Sequence, residues 1–93
     1  MTPKEAHAAR KTVCMSVDGF AKAIGYQGKD GARTILAMEA GVRHGKPFSV
    51  SGPAAAAIGY LLAINQFIRA HDAGEDLSQA VAALRMSLPE SIR

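Results

Sequence analysis

An all-α fold, a five-helix bundle, follows from three features of this 93-residue chain. Hydrophobic residues make up 48% of it, yet aromatics are 5% and tryptophan is absent, so the core must be built from Ala, Leu, Ile, Val and Met. Side chains of that size favour helices packed at short distances. Capping signatures recur ahead of apolar residues spaced by three and four, and no strand-like alternation, internal repeat or second linker interrupts them. A chain this short supports one domain, residues 1–93, with one core and no deep catalytic cleft.

The elements follow in order. Thr2-Pro3-Lys4-Glu5 has the spacing of a capping box, with proline suited to the first helical position, so a first helix runs from about Pro3 to Thr12. Ala6, Ala9 and Val13 form its narrow inward stripe. Ser16 caps a short second helix that carries Phe20, Ala21 and Ile24 inward, and Gly25 supplies the left-handed residue that stops it. Tyr26 to Gly31 reads as a turn, and a third helix starts near Asp30, holds Ile35 and Met38 inward and ends at Gly41. Val42 to Ser51, with Gly45 and Pro47, reads as a surface loop. Ser51-Gly52-Pro53 announces the longest helix, which reaches about His71. Its stripe of Ala57, Leu61, Ile64 and Ile68 is flanked by Tyr60, Leu62 and Phe67, so it needs cover on more than one side. Asp76-Leu77-Ser78-Gln79 repeats the capping-box spacing before Leu77, Val81, Leu84 and Leu88, and Pro89 limits that last helix.

The formal charge of +3 is slight, but it is unevenly distributed. Residues 1–46 hold eight Lys/Arg against four acids, whereas the remainder holds three against four. Basic charge therefore belongs to the first half, where a polyanion would find it. Cys14 is single, which excludes an internal disulfide framework, fits a cytoplasmic, reducing compartment and predicts a small buried residue. His7, His44 and His71 lie far apart without carboxylate or cysteine partners at ligand spacing, so no metal site and no cofactor are expected. Gly25-x-x-Gly28-x-x-Gly31 has neither the spacing nor the preceding strand of a nucleotide-binding loop. No pair of titratable groups suggests acid/base chemistry, so there are no catalytic candidates and the chain is not expected to be an enzyme. The longest apolar stretch, Ala54 to Ile64, is too short to span a membrane, and no secretory signal is expected.

The stretch from Ser16 to Gly41 is the most informative. Phe20-Ala21-x-x-Ile24-Gly25, followed by Thr34-Ile35-x-x-Met38-Glu39-x-Gly41, resembles the Xre or lambda-repressor-like (Cro-type) helix-turn-helix family of phage and bacterial regulators and antitoxins. The likeness extends over residues 2 to about 64. It implies that Ala21 is small because two helices cross there, and that the outer face of the third helix is free to enter a major groove. By position, Ala32, Arg33 and Ala37 are the implied base-contacting residues. Arg33 is the one able to hydrogen-bond a guanine, while the two alanines offer contact with a thymine methyl. Ser16, Lys29, Thr34, Arg43 and Lys46 are the implied phosphate contacts, with Arg43 as a mobile cation. Arg10 and Glu39 fall where the family places a structural ion pair.

The resemblance implies a double-stranded DNA-binding transcriptional regulator, a repressor or autoregulator bound as a homodimer to an inverted-repeat operator. Residues 1–50 would then be the DNA-binding half, and residues 51–93 core and dimerisation. Ile58, Leu61, Leu62, Ile64, Phe67, Ile68, Leu77, Val81, Leu84 and Leu88 are the expected dimer interface. A second reading stays open: an antitoxin-like or phage-encoded inhibitor that captures a protein partner through the same apolar C-terminal helices.

Overall fold

The computed structural model describes residues 1–92 and, among these, contains five α-helices and one small antiparallel sheet. The chain divides into two compact units, Met1–Ile58 and a second that begins at Gly59.

In the first unit, α1 (Pro3–Thr12) opens on a complete capping box. The Thr2 hydroxyl accepts from the Glu5 amide at 3.1 Å and the Glu5 carboxylate accepts from the Thr2 amide at 3.0 Å. Pro3 has no N–H, so two of the three orphan donors at this helix start are thereby satisfied. The short α2 (Val17–Ala23) is capped by Ser16, whose hydroxyl oxygen accepts from the Gly19 amide at 3.1 Å. The link to the next helix folds back when the Tyr26 amide donates to the Ala21 carbonyl at 2.9 Å. From there α3 (Gly31–Ala40) runs to a left-handed cap at Gly41, with φ 76°.

The core of this unit is Ala6 and Ala9 from α1, Phe20 and Ala21 from α2, and Ile35 and Met38 from α3, with Ala54 and Ile58 from further along the chain. Three of its four fully buried large side chains, Phe20, Ile35 and Met38, come from α2 and α3. Small residues set how closely these helices approach. A Cβ on Gly31 would lie 3.2 Å from the Ala21 methyl and 3.1 Å from the Tyr26 carbonyl oxygen. The crossing of α2 and α3 thus needs a small residue on both sides, Gly31 as well as Ala21.

Two expectations are corrected here. The segment after Gly41 is not simply a loop: β1 (Val42–Arg43) and β2 (Lys46–Pro47) form a hairpin, with Val42 opposite Pro47 and Arg43 opposite Lys46. His44 and Gly45 take φ values of 53° and 75°, the doubly left-handed arrangement of a type I′ turn, whose twist matches that of the strands. Strands of two residues leave no alternation in the sequence to detect. Cys14, expected to be buried, is exposed. It lies in the turn after α1 with φ 57°, and its amide donates to the Lys11 carbonyl, so the backbone reversal carries its side chain outward.

The helix α4 (Gly52–Asp72) starts where Ser51 accepts from the Ala54 amide at 3.3 Å. In the second unit, Ala63, Ala70 and Ala80 are the buried hydrophobic residues among those described, the last of them on α5 (Ser78–Met86). Leu61, Leu62, Phe67, Leu77, Val81, Leu84 and Leu88 are only half-buried, while Ile64 and Ile68 are 47% and 52% exposed. The start of α5 also departs from expectation. Asp76 accepts from both the amide and the hydroxyl of Ser78, at 3.0 and 2.8 Å. That local turn displaces the capping box expected from Asp76 to Gln79, and the helix begins at Ser78 rather than Leu77. A 3-10 turn follows at Glu90–Ile92.

Candidate nucleic-acid interface

One face of α3 is anchored and the other is free. Thr34, Ile35 and Met38 point into the core, whereas Arg33, Leu36 and Ala40 are exposed and Ala32 and Ala37 are half-buried. This division follows the 3.6-residue helical period: fixing 34, 35 and 38 inward turns 33, 36, 37 and 40 outward.

The anchor includes a polar brace near the C-terminal end of α3. Arg10 on α1 donates to both oxygens of Glu39, from Nε at 2.8 Å and from Nη2 at 3.0 Å. Its Nη1 reaches the Met15 carbonyl at 3.3 Å, which ties the turn after α1 into the same knot. His7 Nδ1, from the same helix, also hydrogen-bonds Oε1 of Glu39. The Glu39 side chain is only 8% exposed. Burial alone would push its carboxyl up, but the hydrogen bonds from Arg10 and His7 and the positive charge beside it hold it below the usual carboxylate range. Helices α1 and α3 are therefore fixed to each other by a charged, directional contact as well as by packing.

Arg33 sits at the other extreme of the helix. Its side chain is 83% exposed, and its one recorded ion pair, with Asp30 at 4.0 Å, joins two groups that are both in water. Such a pair is weak and costs little to exchange for another acceptor.

Arg43, on β1, is held rather than mobile. Its guanidinium lies 5.5 Å from the centroid of the Phe48 ring, and Nη1 donates to the Thr34 hydroxyl at 3.4 Å. One of the five donors of the fork is engaged by that hydroxyl. Thr34, expected to contact phosphate, is corrected: it is only 7% exposed and its hydroxyl donates to the Asp30 carbonyl at 2.9 Å. It positions Arg43 and reinforces the first turn of α3.

Together α3 and the hairpin make an open groove lined by Asp30, Arg33, Leu36, Ala37, Ala40, Val42, Arg43 and His44. Of the residues singled out from the sequence, Arg33, Ala37 and Arg43 meet on this groove. Lys46 faces Arg43 across the hairpin, and Lys29 precedes the Asp30 cap; both are exposed. Ser16 is exposed at the start of α2 with its hydroxyl oxygen already engaged by Gly19, which leaves its O–H to donate. Ala32 does not line the groove. Ile58, expected at a dimer interface, is 0% exposed within the single chain and has no surface to offer a partner. Sequence reasoning missed Leu36 and Val42, which are 55% and 50% exposed, and His44. The helical period could have found Leu36, since it alone among the outward positions of α3 is large and apolar.

Among the described residues no group of three or more His, Cys, Asp or Glu could hold a metal ion. Among the same residues no helix is long and apolar enough to cross a membrane. Comparison with protein-family models, curated proteins and solved structures finds no match for this chain.

Proposed function

We propose that this protein is a sequence-specific double-stranded DNA-binding regulator that presents the outer face of α3 to the major groove. The observation that carries the reading is a short helix with one face locked into a core and the other open, bearing an Arg that is free to re-pair, with further cations on the adjacent hairpin. A major groove about 12 Å wide admits one α-helix, and Arg reads guanine by two parallel hydrogen bonds. Arg33 reads a base, with Ala32 and Ala37 in apolar contact beside it; Ser16, Lys29, Arg43 and Lys46 hold phosphates. The chain acts as a repressor or autoregulator on an inverted repeat, as a homodimer joined through α4 and α5.

Support for the dimer is the incomplete cover of the second unit, where the buried hydrophobic residues described are all alanines and Ile64 and Ile68 stand about half exposed. The same exposure favours the second reading, a protein partner held by these helices.

The test is selection of bound duplexes from a random pool, followed by mobility shifts over a salt series. A regulator of this kind yields a defined half-site, and its log affinity falls with log salt by about 0.9 for each phosphate neutralised. Failure to enrich any sequence, with binding indifferent to salt, would favour the protein partner.

A further inference from the structure

We propose that Leu36 and Val42 form a second, apolar reading surface in the groove between α3 and the hairpin, specific for thymine methyl groups beside the base pair read by Arg33. The inference rests on the DNA-binding reading above and deepens it by naming what that groove recognises.

Leu36 is 55% exposed and Val42 is 50% exposed, and both line one groove with Arg33 and Arg43. A single exposed leucine is ordinary, but Leu36 and Val42 share one groove and so present a joint apolar patch on the free side of α3. Charge selects the occupant: the lining carries two arginines and His44 against the single carboxylate of Asp30. A groove lined by both apolar side chains and arginines fits a surface that is anionic at its edges and carries methyl groups within, which describes the thymine-bearing major groove. The spacing also fits. Arg33 and Leu36 are three residues apart, a rise of about 4.5 Å along the helix, compared with about 3.4 Å between stacked base pairs. A helix that places Arg33 on a guanine thus brings Leu36 over the neighbouring one or two pairs.

Deoxyuridine provides a clean probe, because it lacks only the C5 methyl of thymine and keeps every hydrogen-bonding group. The full chain is titrated by fluorescence anisotropy against its selected duplex and against versions in which each thymine in turn is replaced by deoxyuridine. Loss of the critical methyl should weaken binding by roughly three- to tenfold at one or two thymines next to the guanine. The double variant Leu36→Ala with Val42→Ala, at two exposed positions, should keep the thermal unfolding curve of the parent and bind the thymine and deoxyuridine duplexes equally. Its affinity for random duplex should stay within about twofold of the parent. The proposal is overturned if no replacement weakens binding, or if the double variant still distinguishes the two bases. If the chain binds no duplex even at about 50 mM salt, the DNA-binding reading itself fails and this proposal falls with it.

Discussion

At the scale of single residues, Glu39 and Arg33 have opposite environments and opposite consequences. Glu39 is nearly buried and accepts from Arg10 and His7 of α1, so removing it strands Arg10, itself only 17% exposed, without its partner. Glu39→Ala should cost about 2–4 kcal/mol in urea denaturation, near the lower part of what breaking a buried pair costs. The pH dependence follows from the direction of its shift. Its carboxyl titrates below the usual range when folded, so the unfolded chain takes up protons first as pH drops. The stabilisation is fully present above the ordinary carboxylate pKa and is lost below about pH 5 as pH falls through the lowered folded value. Glu39→Gln should flatten that part of the stability profile; an unchanged acid limb would place the effect on other carboxylates. Arg33→Ala, by contrast, should leave stability within about 0.5 kcal/mol, as expected of an exposed site away from caps and core. In mobility shifts it should remove most of the preference for selected over random DNA, whereas Arg43→Ala should weaken both to a similar degree.

At the scale of elements, the direction of α3 is decided where it crosses α2. Gly31 and Ala21 are both small there, and a Cβ on Gly31 would lie 3.1 Å from the Tyr26 carbonyl oxygen and 3.2 Å from the Ala21 methyl, closer than ordinary contact, so the surrounding chain must shift to admit it. Gly31→Ala should therefore destabilise the fold despite alanine's better helix propensity, by about 1–3 kcal/mol, the scale of an overpacked contact. A gain in melting temperature would show that the helices separate without cost. The hairpin beside α3 depends on two left-handed residues, and His44 takes that conformation less readily than asparagine. Asp30 is the one carboxylate lining the groove, so Asp30→Asn should raise affinity for random duplex and reduce discrimination, as read from the same binding curves.

At the scale of the whole molecule, the state of association separates the two readings of the apolar second unit. Sedimentation at micromolar concentration should show a dimer, and Ile68→Lys, at a position 52% exposed in the single chain, should give a folded monomer. A dimer should select inverted half-sites centred about 34–36 Å apart. A parent that sediments as a monomer, alone and on DNA, would remove the two-fold operator from the proposal.

Most of the helical layout could be read from local sequence, because a helix's start and stop are local events. Thr2 with Glu5, Ser16, Gly25, Gly41 and Ser51 each act within a few residues of themselves, and the helices begin and end beside them. The inward stripe of α3 was likewise set by its period. What required the tertiary structure depends on residues far apart in the chain or on conformations without a pattern. The hairpin rests on two turn residues with positive φ, His7 joins Arg10 on Glu39 across 32 positions, and Thr34 is turned inward to hold Arg43. Nor could hydrophobicity tell Ile58, which the fold encloses, from Ile68, which it leaves half in water. Periodicity fixes which face of a helix is apolar; only the packed chain decides which of those apolar residues the monomer itself can cover.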